Sequence, residues 1–168
     1  MANTDFLKPT AVSQTTGATE ISWNLDTQPR NVDTGCSTTE PLSSFNSKTT
    51  GLLIWSGWDT SVIPSVTSDG STDTTIDGIE VKVLSSKDSR INDSIIQLAQ
   101  SGSVIGSNKA NADAGENHTY GTSTDVWGTT LTYSDLSTLQ VALKYFSSST
   151  PHKDTAYVYS VQLKIYYT

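Results

Sequence analysis

Residues 157–167 read YVYSVQLKIYY, and this stretch decides the fold class. Large apolar or aromatic side chains occupy every second position, and Ser160, Gln162 and Lys164 lie between them. A strict period of two over eleven residues predicts a β-strand with one face buried and the other face in water. The side chains that we expect to share the buried face are Tyr157, Tyr159, Val161, Leu163, Ile165 and Tyr167.

The same period recurs toward the amino terminus. Ile79, Val81 and Val83 alternate with charged neighbours, which predicts a strand over 74–85. Residues 93–100 fit either a strand or a helical stripe, and we favour the strand because the segment is short and rich in β-branched residues. Further strands are predicted over 20–25, 50–55, 126–133 and 139–146.

About eight short strands separated by turn-rich loops predict an all-β fold, an antiparallel β-sandwich of the jelly-roll type. The size of 168 residues fits one domain, which we place at 20–168. Residues 26–48 form a long polar connection, a length that is unusual within a compact domain.

Residues 1–19 are polar and rich in threonine, and we expect an extended amino-terminal arm. Phe6, Leu7 and Pro9 form a small apolar group within it. A free tail of this composition would be disordered, so an ordered one needs a partner, either the domain itself or a neighbouring chain. We therefore predict that these three residues bind a partner protein.

The net charge of −7 and the acidic pI of about 4.5 argue against nucleic acids and anionic lipids as partners. The first 20 residues lack the basic and apolar regions of a signal peptide, and no apolar run approaches the length of a membrane span. We expect a protein that is made in the cytosol. Cys36 is the single cysteine, so no disulfide within the chain is possible.

Residues that could carry chemistry are few and scattered. His118 and His152 both fall in predicted polar loops, without a nucleophile motif beside them. Two carboxylate pairs could in principle act on a sugar, Glu116 with Asp125 and Asp59 with Asp77. We expect no enzyme activity and no cofactor.

Two binding hypotheses remain open. Asp69 to Asp73, followed by Asp77, spaces oxygen ligands as some calcium loops do, although the bidentate glutamate of an EF-hand is absent, and a solvated turn is the simpler interpretation. An aromatic set could stack on a sugar, although tryptophans at strand ends more often cover a core. Its members are Trp55, Trp58, Tyr120 and Trp127.

An ordered series of short stretches resembles a family of β-sandwich proteins encoded by tailed phages and marine viruses. The stretches are Trp23-Asn24, Val62-Ile63-Pro64, Ile76-Asp77-Gly78-Ile79-Glu80-Val81, Ile91-Asn92-Asp93, Gln97-Leu98, Gly106-Ser107-Asn108-Lys109-Ala110, Tyr120-Gly121, Asp125-Val126-Trp127-Gly128, Leu131-Thr132, Ala156-Tyr157-Val158-Tyr159 and Ile165-Tyr166-Tyr167. The resemblance covers about residues 20–168. Two loops depart from the family pattern: the tryptophan after the Asn-Lys-Ala group is missing, and a glycine pair is replaced by Gly121-Thr122.

The motif residues also make sense as scaffold. Gly78 suits a bulge or close packing, Asp125 suits a turn that leads Trp127 into the core, and Asn108 suits hydrogen bonds to loop backbone. The resemblance implies a virion component that is assembled in the host cytoplasm. The expected function is a capsid decoration (cement) protein that binds the major capsid protein, another virion protein or a second copy of itself. The alternative is a tail, neck or fibre module that binds a host-surface glycan.

Overall fold

The computed structural model describes residues 1–23, 25, 34–37, 48–65, 74–111, 117–148 and 154–168. These residues form ten β-strands and one short 3₁₀ helix, Tyr133–Thr138. The strands are β1 (Ala2–Asn3), β2 (Ala11–Thr15), β3 (Thr34–Ser37), β4 (Leu52–Ser56), β5 (Ile76–Lys87), β6 (Ile91–Gln100), β7 (Ser103–Ile105), β8 (Asn117–Thr122), β9 (Leu139–Ser147) and β10 (Thr155–Tyr167).

The strands form two five-stranded antiparallel sheets. In sheet A the order is β1-β10-β5-β8, and β3 also pairs with β10; in sheet B the order is β2-β4-β9-β6-β7. The inward side chains of both sheets meet in one apolar core. The predicted antiparallel β-sandwich is therefore confirmed, and β6 confirms the strand interpretation of residues 93–100.

Strand β10 forms the centre of sheet A and pairs with β5 over most of its length. Val161, Leu163 and Ile165 are fully buried, as the alternation predicts. The prediction is wrong for Tyr157 and Tyr159, which are each 38% exposed. The pairing with β5 shifts by one residue between Val158 and Ser160. This bulge turns Ala156 and Val158 toward the core and both tyrosines toward solvent.

The amino-terminal segment, which we expected to lie outside the sandwich, contributes a strand to each sheet. β1 pairs with the end of β10 through Ala2 and Tyr167, and β2 pairs with β4. Between them, Thr4 is buried and exchanges hydrogen bonds with the backbone of Ile165. Residues 1–19 are thus part of the sandwich.

Two of the predicted strands are not found among the described residues. In the described part of 20–25, Ile21 makes only an isolated bridge to Thr50. Within 126–133, residues 127 and 128 form a turn, because Trp127 and Gly128 have positive φ values of 58° and 67°, which end an extended chain. Thr132 makes only an isolated bridge, to Thr75, before the 3₁₀ helix begins. In the connection 26–48, residues 34–37 form β3, and 26–33 and 38–47 lie outside the described residues.

Candidate functional site

The predicted partner-binding group of the amino-terminal segment packs on the chain itself. Leu7 forms a two-way backbone bridge with Leu163, with N···O distances of 2.7 and 3.0 Å. Pro9 is buried, and Phe6 is half-buried. The Phe6 ring lies 5.5 and 5.6 Å from the Nζ atoms of Lys82 and Lys164. The domain itself therefore orders this segment.

The aromatic residues considered for a sugar platform lie in the core. Trp55, Trp58, Tyr120 and Trp127 are each less than a tenth exposed, so none offers an open ring face. The core interpretation of these residues is correct.

Of the candidate chemical groups, Asp59, Asp77, His118 and Asp125 lie among the described residues. Asp59 is exposed, and its pKa is lowered by hydrogen bonds from the Ser61 hydroxyl and backbone N–H. His118 lies on β8 with its ring 4.6 Å from the Tyr120 ring. Glu116, His152 and the Asp69–Asp73 loop lie outside the described residues, as does the side chain of Cys36.

Among the described residues, no group of three or more His, Cys, Asp or Glu side chains could hold a metal ion. No helix in this part of the chain is long and apolar enough to cross a membrane.

Gly78, on β5 of sheet A, packs closely against the loop after β8. A Cβ atom at this position would lie 2.3 Å from the carbonyl carbon of Ser123 and 2.6 Å from the Thr122 oxygen. Both contacts are with backbone, so a side chain here would push the loop away. The predicted close packing at Gly78 is confirmed.

Asp125 and Trp127 form the turn that the sequence predicts. The Trp127 N–H donates to Asp125 Oδ1 at 2.8 Å, and this bond holds Trp127 in its left-handed conformation. The fully buried indole donates through Nε1 to the Ile79 carbonyl oxygen at 2.9 Å. The carboxylate also pairs with Lys109 Nζ at 2.8 Å. Asp125 therefore connects its own loop with the loop after β7.

Asn108 joins the loop after β7 to β6. Its Oδ1 accepts hydrogen bonds from the N–H groups of Ile96 and Ala110, each at 3.0 Å. Its Nδ2 donates to the Ser94 carbonyl oxygen at 2.8 Å. The predicted backbone role of Asn108 is confirmed. These bonds satisfy backbone groups of β6 beside an irregularity in that strand, where the β6–β9 register shifts between Asp93 and Ile95.

A polar cluster, formed by Lys87, Asp93, Tyr120 and Tyr145, lies between the sheets. Lys87 and Tyr120 come from sheet A, whereas Asp93 and Tyr145 lie opposite one another on neighbouring strands of sheet B. Lys87 Nζ lies 2.7 Å from Asp93 Oδ1, and the Tyr120 hydroxyl donates to Asp93 Oδ2. The lysine and aspartate side chains are only 6% and 1% exposed.

This cluster is buried, and aromatic rings lie beside its charged groups. Lys87 Nζ lies 5.1 Å from the centre of the Tyr145 ring. Burial raises the pKa of Tyr120, and the hydrogen bond to Asp93 and the charge of that carboxylate raise it further. Burial also raises the pKa of Tyr145. Both phenols therefore stay protonated, and Tyr120 serves as a hydrogen-bond donor to the buried carboxylate.

Our sequence interpretation missed this cluster. The predicted alternation, with Ile96 and Leu98 inward, would turn Asp93 outward, and the bulge between Asp93 and Ile95 brings it into the core instead. A carboxylate there needs a buried partner.

Tyr157 and Tyr159 form the largest aromatic feature on the described surface. Their rings are parallel within 2°, with centroids 6.3 Å apart. Val62, Val104 and Met1 are the other large apolar side chains exposed in the described part of the chain.

A cleft of about 470 Å³ lies beside the start of β5. Its described lining carries mainly hydroxyl groups, including those of Ser65, Thr74, Thr132, Tyr133 and Ser134. Such a lining can donate hydrogen bonds to a solute and accept them from it.

Comparison with protein-family models, curated proteins and solved structures gives no match for this chain.

Proposed function

We propose that this chain is a structural protein of a tailed-phage particle, and that it acts as a capsid decoration protein on the outer surface of the head. Its function would be contact with neighbouring proteins, and the stabilising effect would come from the area buried across their boundaries.

The positions of the motif residues support this proposal. Gly78, Asn108 and the Asp125 to Gly128 turn fix the loops around the sandwich. The resemblance to virion proteins is therefore carried by residues that determine the fold. Proteins related in this way share a scaffold, and the exposed surface of that scaffold is the part available to bind a partner.

The observation that carries the proposal is the exposed pair of tyrosines on β10. An unbroken alternation would have placed both rings in the core, and the bulge turns them outward instead. Bulges that redirect side chains are often functional features, and tyrosine is enriched in the buried centres of protein interfaces. We assign the main contact with the capsid to this pair, in place of the amino-terminal group.

The test is the copy number of the protein on purified particles of the phage that encodes it. A decoration protein should approach the abundance of the major capsid protein, measured by quantitative mass spectrometry. A double variant, Tyr157→Ser with Tyr159→Ser, should fold normally and lose at least tenfold in affinity for undecorated heads, about 1.4 kcal/mol. Tyr166→Ser, on the same strand outside the pair, is the matched control and should bind as the wild type does.

The second candidate function is a tail, neck or fibre module that binds a host-surface glycan, and the same tyrosine pair favours it. Exposed, parallel aromatic rings can stack against the apolar faces of sugars. This alternative predicts a few copies per particle and binding of the purified chain to host polysaccharide that the double serine variant loses. If the chain bound neither particles nor host polysaccharide, both functions would be refuted.

A further inference from the structure

The polar cluster between the sheets holds the Lys87 amine and the Asp93 carboxylate in direct contact. Lys87 is the last residue of β5 in sheet A, and Asp93 lies on β6 in sheet B. The turn at 88–90 connects the two strands, and the Ile91 N–H closes it by donating to the Asp88 oxygen at 2.8 Å. The two side chains therefore meet across the interior, with Nζ 2.7 Å from Oδ1.

Burial distinguishes this pair from the other described ion pairs. The side chains of Lys109 and Asp125 are 31% and 24% exposed, and those of Lys144 and Glu20 are 17% and 19% exposed. Asp154 is fully buried, but its partner Arg90 is 40% exposed. Water can reach at least one charge of each of these three pairs, but it has little access to Lys87 and Asp93. The amine and the carboxylate are therefore held in contact in an interior from which water is largely excluded.

We propose that Lys87 and Asp93 condense into an intramolecular amide bond that joins the two sheets. Proton transfer from Nζ to the carboxylate gives a neutral amine and a neutral acid. The Nζ lone pair attacks Cγ, a bond forms between Nζ and Cγ, and the Cγ–Oδ1 bond breaks. Oδ1 takes up the protons that Nζ releases and leaves as one water molecule, so no oxidant or other reactant is needed.

Tyr120 is placed to assist this step. Its hydroxyl donates to Asp93 Oδ2, the oxygen on which negative charge develops when the amine attacks and which becomes the amide oxygen. A fixed donor at such an atom stabilises the transition state more than the ground state. The fixed geometry of the two reacting groups lowers the entropic cost of their reaction. This inference is independent of the proposed function.

Mass spectrometry of the purified full chain tests the proposal. The intact wild type should weigh less than its sequence requires by one water molecule. Trypsin should fail to cleave after Lys87, and peptides 83–90 and 91–109 should appear as one branched species. Lys87→Arg keeps a positive charge, but its guanidinium does not deprotonate, so this variant should show the full mass and three separate peptides, 83–87, 88–90 and 91–109.

Tyr120→Phe separates the catalytic part of the proposal from the geometry. It removes only the hydroxyl, and the variant should form the branched peptide more slowly than the wild type by tenfold or more. Folded wild-type protein at full mass, with ordinary cleavage after Lys87, would overturn the proposal. Bond formation in Tyr120→Phe at the wild-type rate would overturn the role of Tyr120.

Discussion

Val161 lies at the middle of β10, directly opposite Val83 of β5, and its side chain is fully buried. Replacing it with aspartate would place an unpaired charge in the core, at a cost comparable to the roughly 5–15 kcal/mol by which native domains are stable. We expect Val161→Asp to be unfolded at room temperature by circular dichroism. Gln162→Asp, one residue further on the half-exposed face, is the control and should stay folded. A soluble and folded Val161→Asp protein would contradict the assigned strand register.

Asp125 shows how a single carboxylate makes stability depend on pH. Partial burial raises its pKa, but hydrogen bonds from Lys109 and the Trp127 N–H, with the lysine charge, outweigh burial and lower the net pKa below 3.8. A lowered pKa in the folded state means that the stabilisation is present above the unfolded value and is lost as the pH falls through the folded value.

We therefore expect Asp125→Asn to be less stable than the wild type at pH 7 by about 0.5–1 kcal/mol, since the amide oxygen still accepts from Trp127 but the ion pair is lost. The difference should shrink below pH 4, where the wild-type carboxylate becomes protonated. Urea unfolding at pH 7 and at a pH below 4 measures this difference in stability. A difference that is the same at both would show that the charge of Asp125 does not stabilise the fold.

At the level of elements, β10 shows both the reach and the limit of sequence patterns. The period of two gives the burial of Val161, Leu163 and Ile165 because one face of the strand must exclude water. It fails at Tyr157 and Tyr159, because a single inserted residue reverses the faces without changing the composition. The strand predicted over 126–133 is wrong, because Trp127 and Gly128 adopt positive φ values that the composition of the segment does not reveal.

The amino-terminal segment was harder to predict, because its strands are short and their partners are distant in sequence. Deleting residues 2–15 would remove β1 and β2 and expose the edges of β10 and β4. We expect this variant to lose about 3 kcal/mol or more of stability and to aggregate more readily. Thermal unfolding with light scattering measures both effects, and deletion of Met1 alone serves as the control. Unchanged melting would mean that the segment contributes little to the sandwich.

At the scale of the whole molecule, the sheets are assembled largely from strands far apart in the chain. β4 pairs with β9, and β10 pairs with β5 and with both β1 and β3. Folds dominated by such pairings form slowly, since loop closure precedes the contacts that reward it. We expect refolding after rapid dilution from urea to take milliseconds to seconds, by tryptophan fluorescence. Microsecond refolding would contradict this expectation.

The polar cluster was less predictable than the fold, because its members come from both sheets. An unbroken alternation with Ile96 and Leu98 inward would place Asp93 on the outer face, and the sequence does not state that Lys87 faces it from the other sheet. That pairing depends on the turn at 88–90 carrying the chain across the sandwich and on a bulge beside Asp93.

The pairing of Ala2 with Tyr167 has a consequence for synthesis of the protein. The ribosome adds roughly 5–20 residues per second, so residues 2 and 3 are made several seconds or more before their partners on β10. During that interval the nascent chain holds β5 without its central neighbour β10. Until β10 emerges, the exposed β5 edge is open to chaperones or to another nascent copy.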